Sequence, residues 1–432
     1  MIKHRIPFAV LGLVAATLPA QMSGSFLIDP NGGPTVFHSF TEAVNAMFVA
    51  GINGPCEFVV VPGAYNESVL VPPIAGASAQ NRITFRAQNG PGTVLVTGAA
   101  GDTFALVAVA FLRNRSITWD GIDFMGAPGH AISGTTFVED LEITNCFFNE
   151  GHRSTAPGEY RHCVLVSENS GQEIGWRIHH NRIKLSSYQN RTSYGIYLSN
   201  GGDWDIHHNT FELNGGDHGI WMINNNNRID RIWDNLFTGS LHVVGGTYAN
   251  SVTVIRGDIS NHNNYIAHNT FAVILPASGC CVATGGYTSG ASAVQNYLYG
   301  NVFYTVGGVA ICVNASGTTA QPFQSDGNVF FCNGGELGRI GPSGAGYTTL
   351  AGWQAASGRD LNSLEADPQL QNPFGTPPDL RPLPTSPITG VAVSTPSYVT
   401  TDYAGRLRDA APDAGAYEST SFALYGQGCA GT

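Results

Sequence analysis

Four short segments share a pattern that sets an ionisable or hydroxylated side chain just ahead of an apolar strand. They read Gly129-His130-Ala131-Ile132, Arg161-His162-Cys163-Val164, Ser193-Tyr194-Gly195-Ile196 and Asp217-His218-Gly219-Ile220. If successive segments stack, His130, His162, Tyr194 and His218 form one column, with Arg161 and Asp217 beside it. Imidazole and phenol groups exchange protons when their surroundings tune them, and a guanidinium pairs with carboxylates. The chemistry this column suits is sugar binding and proton transfer. The alternative is a solvated turn column of stacked rings.

Two further columns carry titratable groups. His180, His208, Asp234 and His268 each stand just ahead of a recurring asparagine. Imidazole and carboxylate at neighbouring heights could bind a divalent metal, but solvent-facing turn residues are the more ordinary reading, so no metal ligands are assigned. His179 and His207 beside them are expected to be exposed. The third column, Asp123, Asn149, Lys184 and Glu212, points outward by alternation from Ile122, Phe148, Ile183 and Phe211. Lys184 and Glu212 are either substrate-binding groups or a cross-coil ion pair, which on a surface is worth under about 1 kcal/mol. Residues 150–160 form a long loop that adds Glu150, His152, Arg153 and Glu159 to one wall.

The framework that would position these columns is a repeat. Ile178-His179-His180-Asn181-Arg182-Ile183 and Ile206-His207-His208-Asn209-Thr210-Phe211 share a leading apolar residue, an asparagine and a closing apolar residue. The series continues through Asn235, Asn269, Asn301 and Asn328, with Ser325 as the leading residue of the last. Upstream, Asp120 is read at the Asn position of Ile117 to Ile122, and Cys146 at that of Ile143 to Phe148. These anchors lie 26 to 35 residues apart, the uneven period of a solenoid whose coils keep their strands and vary their loops. Apolar residues alternate only over short runs interrupted by Gly and Asn, which selects strands over helical repeats. The pattern predicts a parallel β-helix with coils about 4.8 Å apart and like residues stacked inside. Asn at each bend would tolerate a left-handed backbone and bond its amide to the next coil's Asn.

The ends carry their own signals. Phe37 to Phe48 reads as a helix with Ser39 as N-cap and Phe40, Val44 and Phe48 on one face, covering the open end of the tube. Lys3, His4 and Arg5, the apolar run Ile6 to Thr17 and then Leu18-Pro19-Ala20 have the form of a secretory signal peptide, too short to span a bilayer. Exported protein is therefore expected to begin near Gln21. N-terminal sequencing of secreted material checks this, and a start at Met1 would refute it. The remaining divisions are a β-helix with its cap over 21–355, an extended tail over 356–418, and a flexible end or the start of a truncated module over 419–432.

Composition excludes several classes. A net charge of −11 argues against nucleic acid as a partner. With 43% hydrophobic and only 12% charged residues the chain does not have the make-up of a disordered protein. After Lys3 the sole lysine is Lys184, so positive chemistry falls to arginine, histidine or that residue. Cys312 and Cys332 are 20 residues apart, a spacing that suits a disulfide between neighbouring coils; buried free thiols are the alternative.

The run from Phe37 through Pro62-Gly63-Ala64-Tyr65-Asn66-Glu67 to Ile83–Gly98 resembles the N-terminal opening of pectin-lyase-like β-helix proteins. The Asn-x-Phe coils are similar to the repeats of the same superfamily. Ala366-Asp367-Pro368, Leu380-Arg381-Pro382, Ser386-Pro387-Ile388, Asp402–Arg406 and Asp413–Glu418 resemble the extended tail of its secreted bacterial members. The resemblance spans about residues 35 to 418 and implies an all-β, single-stranded right-handed parallel β-helix. It also implies a secreted, monomeric, carbohydrate-active protein on an extracellular polysaccharide, with no transmembrane segment and calcium as a candidate cofactor. For β-elimination on a uronate polymer, Arg161 would neutralise the carboxylate and His162, His218, Tyr194 or Lys184 would act as base. Hydrolysis would need two carboxylates, with Asp217 and either Glu159 or Asp203 as candidates. His130, Glu159, Lys184 and Glu212 are the expected substrate-binding residues. The rival reading is a non-catalytic surface or adhesion rod that binds polysaccharide.

Overall fold

The computed structural model describes residues 20–98, 107–125, 130–134, 137–149, 161–166, 173–186, 193–223, 228–242, 252–258, 263–284, 295–313, 315–316, 319–320, 323–341, 344–393 and 395–418. The expectations placed on residues 1–19, 150–160 and 419–432 lie outside them. The turns of the chain visit three sheets in the same order and stack parallel strands in each, with the two-residue strands Glu173–Ile174 and Gly201–Gly202 added beside sheet 1. Sheet 1 begins at Met22–Ile28, sheet 2 at Gly63–Asn66 and sheet 3 at Val69–Val71. The chain is the expected right-handed parallel β-helix.

In-register stacking builds the interior. On sheet 2, Phe211, Phe237, Phe271, Phe303 and Phe330 occupy one inward column, with ring centroids 4.6, 4.9, 5.0 and 5.2 Å apart. On sheet 1 the matching column is Ile178, Ile206, Ile232, Ile266 and Leu298, closed by Ser325. Between the two sheets each buried asparagine donates its side-chain amide to the next Asn Oδ1, from Asn181 through Asn209, Asn235, Asn269 and Asn301 to Asn328, at 3.0–3.1 Å. The same Oδ1 accepts the backbone N–H of the preceding Asn, so the polar groups of the bend are paired inside the tube.

In the coils, the bend and the upstream register differ from the expectation. The left-handed residue at the bend is the one before asparagine: His180, His208, Asp234 and His268 have φ of 51 to 56°. Upstream, the register is displaced by two residues: Trp119 stacks over Ile143 and Phe124 over Phe148, which makes Asp120 an outward residue in line with Thr144. Met125, not Asp123, then lines up with Asn149. A two-residue slip leaves every side chain on the same face, so alternation cannot detect it.

Helix α1 (Phe40–Ala50) closes the first end. Ser39 accepts the Glu42 N–H, Glu42 reaches back to the His38 N–H, and the Glu67 carboxylate takes the N–H groups of Phe40 and Thr41. Its buried face is Phe40, Ala43, Val44 and Met47, with the Phe40 ring against Trp119 and Phe85; Phe48 is exposed. The other end carries α2 (Leu350–Ser357), capped by Thr349 and stopped by left-handed Gly358, which buries Trp353. The Thr349 and Gly358 signals were present in the sequence. Cys312 and Cys332 are not bonded, because they stand on sheets 3 and 2 respectively. Cys312 contacts Cys280 instead.

The tail packs along sheet 2 and the bend. Leu370, Leu380 and Ala416 cover Leu236 and Ala272, Ile388 and Ala414 cover Val302 and Val329, and Val399 covers Trp233 and Ala267. It also takes up the second column. His208 Nε2 meets the Asp402 carbonyl at 2.9 Å, His268 meets the Asp413 carbonyl and Thr395 Oγ1 at 3.1 and 2.9 Å, and Asp234 pairs with Arg408. These residues anchor the tail.

Candidate functional site

The column formed by His130, His162, Tyr194 and His218 exists on sheet 3, continued by Thr253, Cys280, Val309 and Glu336. Three residues further along each strand a second register column runs through Ser133, Leu165, Tyr197, Trp221, Arg256, Ala283, Cys312 and Arg339. The two residues between the columns both face the core at Val254 and Ile255, at Cys281 and Val282, and at Ala310 and Ile311. At Gly219 a Cβ would lie 2.8 Å from the Val254 carbonyl oxygen and 3.3 Å from the Phe237 ring, so only glycine permits this close approach. The double inward step bends the strand and turns residues i and i+3 toward each other. Glu336 and Arg339 show the result, meeting through two hydrogen bonds of 2.7 and 2.8 Å.

At the middle coils the corner becomes an aromatic cluster. Tyr194 stacks on His218 at 5.1 Å, and Trp221 lies 5.2 Å from each of Tyr194, Tyr197 and His218. The Arg256 guanidinium sits over the Trp221 ring, 4.6 Å from its centroid. His218 Nδ1 is 2.9 Å from Thr253 Oγ1, and burial together with Arg256 holds the imidazole well below its ordinary pKa, hence neutral. Asp217 accepts the Ser193 N–H at 2.8 Å and ties neighbouring coils at the start of these strands. Tyr194 and His218 are each only 3% exposed, whereas Tyr197 and Trp221 are half-buried.

The other anticipated residues fall as follows. His130 is half-buried at the upstream end of the column. Arg161 and His162 are placed by their backbone, in register with Ser193 and Tyr194. Glu159 lies outside the described residues. Lys184 and Glu212 are in register on sheet 2, a different sheet, and Glu212 is engaged by Arg182 at 2.5 Å. Asp203 sits among sheet 1 strands and pairs with Arg228 at 2.7 Å. Sequence reading missed Tyr197, Trp221 and Arg256, although Tyr194-Gly-Ile-Tyr197, His218-Gly-Ile-Trp221 and Thr253-Val-Ile-Arg256 repeat one spacing.

A second polar cluster lies on the outer face of sheet 1. Glu142 accepts from Thr118 and Arg177 at 3.0 and 3.3 Å and meets His179 at 3.1 Å, which together hold its carboxyl down to about 2 with the His179 bond the largest cause. Asp140 engages Arg82 and Arg177. His179 stacks on His207, which stacks on Trp233, so both are half-buried where exposure was expected. Burial and the neighbouring imidazoles push His207 down to about 2. Each of these cluster residues engages another, which makes the cluster an ion-pair and ring network. Among the described residues no group of three or more His, Cys, Asp or Glu is placed to hold a metal ion.

No family model matches the chain, and no curated protein matches it. Solved structures with a similar course include the pectate lyase Pel9A (14% identity, TM-score 0.48, covering 93% of this chain and 98% of that one). A rhamnogalacturonan lyase follows at 10% identity and TM-score 0.43, covering 94% and 100%. The PL6 polysaccharide lyase Pedsa3628 from Pseudopedobacter saltans has 14% identity and TM-score 0.37, covering 83% and 97%. No helix among the described residues is long and apolar enough to cross a membrane.

Proposed function

We propose that this is an exported carbohydrate-active protein that holds an extracellular, uronate-containing polysaccharide across the corner of sheet 3. The observation that supports it is the Trp221 ring with Arg256 over it, beside Tyr197, Tyr194 and His218. An aromatic face packs against the C–H face of a sugar, and a guanidinium pairs with its carboxylate. β-Elimination is the preferred reaction, with the neutral His218 as acceptor for the proton beside the carboxylate. His162, whose backbone is in register with Tyr194, and Arg161, in register with Ser193, are the further residues assigned to the site. Hydrolysis is second, because the carboxylate in these two columns among the described residues is Glu336, which Arg339 clamps. The near-complete burial of His218 favours one further reading, in which the polymer is bound without being cleaved.

A panel of acidic and neutral polysaccharides, followed for unsaturated products and for new reducing ends, separates these outcomes. Trp221→Ala and Arg256→Ala should each weaken capture of the uronate polymer by about tenfold or more, with Arg256→Ala sparing neutral polymers. His162→Ala and His218→Gln should each lower turnover by about a hundredfold without loss of fold. Unchanged capture in both the Trp221 and Arg256 variants would move the site elsewhere. Capture without product would leave the binding rod.

A further inference from the structure

The column behind the sheet 1 ladder, one residue before Arg177, Asp205, Arg231, Tyr265 and Tyr297, faces the inside of the tube. It begins with Trp176 and Trp204 and continues with Asp230, Asn264 and Asn296, all fully or almost fully buried. These last three are register partners on consecutive coils. Asn264 Nδ2 donates to Asn296 Oδ1 at 2.9 Å, the same direction of donation as every rung of the asparagine ladder at the bend. Asp230 Oδ1 accepts the Trp204 N–H at 3.2 Å. Four polar atoms of this column are left without a partner, the acceptors Asp230 Oδ2 and Asn264 Oδ1 on neighbouring coils and the donors Trp204 Nε1 and Asn296 Nδ2 on either side of them.

Unpartnered acceptors on register partners inside an apolar tube are costly, and one proton shared between Asp230 and Asn264 satisfies both. We propose that Asp230 is a neutral carboxylic acid whose Oδ2–H donates to Asn264 Oδ1, forming the first rung of a second interior ladder, and that this proton makes the middle of the β-helix sensitive to alkali. In a ladder of fixed polarity the rung above Asn264 must be a donor, and an ionised aspartate cannot be one. The surrounding charges agree. Asp203 and Asp205 on the preceding coil disfavour a further negative charge, and their own cations, Arg228 and Arg231, are bound to them. The residue against Asn264 on the opposite wall is Gly257, which brings no charge. Burial, with Asp203 and Asp205, raises the Asp230 pKa well above that of an ordinary aspartate.

The sign of the effect follows. A native carboxyl with a raised pKa keeps a proton that the unfolded chain releases above about pH 4. The native state therefore loses stability as pH rises from there toward the folded pKa, by up to about tenfold in the unfolding constant per pH unit.

The experiment compares the full chain with Asp230→Asn, which puts an N–H donor where the acid proton stands. The variant should fold, match the parent near pH 4, and lose less stability than the parent as pH rises. In the parent at neutral pH, infrared spectroscopy should show a protonated carboxyl band that shifts on deuteration and is missing from Asp230→Asn. Asn264→Leu, which removes the acceptor, should move that band to higher frequency. Identical pH profiles for parent and Asp230→Asn would overturn the proposal. So would the absence of the band from the parent, which would mean an ionised carboxylate held by the Trp204 indole N–H or by a buried water.

Discussion

Replacing Phe237 with aspartate should abolish the cooperative fold of the middle coils. The ring is fully buried, with Phe211 at 4.6 Å on one side and Phe271 at 4.9 Å on the other. Removing a buried phenylalanine costs about 3–5 kcal/mol before any charge is considered. The carboxylate that replaces it has no cation inside the ladder, so it must lie buried unpaired or take up a proton. Together these approach the whole stability of a typical domain, about 5–15 kcal/mol. In a solenoid each coil contacts only its neighbours, so the lesion separates the upstream coils from the downstream ones. Thermal unfolding by circular dichroism and limited proteolysis should show an early transition with cleavage in the middle coils. Phe237→Leu, which keeps an apolar rung, should remain folded with a lower melting temperature. Native stability in Phe237→Asp would discredit the inward column. The same ring lies beneath Gly219, so its loss should also loosen the corner that carries His218 and Trp221.

The second large effect is expected at Arg408→Ala, which should release the tail. The Arg408 side chain is 3% exposed and joins Asp234 on the bend to Glu418 in the tail, the latter at 2.7 Å, with the Gly415 carbonyl at 3.0 Å. Removing the guanidinium leaves two buried carboxylates without their cation, a loss of about 3–5 kcal/mol. Proteolysis of the segment after Asp402 should become fast while the coils themselves stay protected. Resistance equal to that of the parent would show that the apolar contacts of Ile388, Ala414 and Val399 suffice.

The same triad makes docking depend on pH. Arg408 engages both carboxylates, and burial pushes Asp234 up to about 8 and Glu418 up to about 7. The docked state thus holds protons that the free chain releases above about pH 4. Tail protection should be strongest near the acid end of that window and fall as pH rises toward 8. Asp234→Asn should flatten the fall.

The solenoid was legible in the residues because its rules are local. An inward side chain every second residue and a coil near thirty residues leave marks that need no knowledge of distant contacts, as at Asn181, Asn209 and Asn235. The stacking of His130, His162, Tyr194 and His218 was legible for the same reason: each precedes the same apolar step. Upstream the same rule failed, since a shift of two residues preserves alternation and only contact decides between Ile117 and Trp119 above Ile143. The corner on sheet 3 depends on two successive inward residues, which bring Trp221 and Arg256 beside His218, and alternation alone forbids that arrangement. The bend column had the composition of a metal site, yet its partners Asp402 and Asp413 stand 194 and 145 residues away in the chain. Sequence determined which side chains stack, because stacking repeats with the coil. Tertiary structure decided which of them the tail covers and which meet across a corner, because those contacts join segments whose separation leaves no periodic trace.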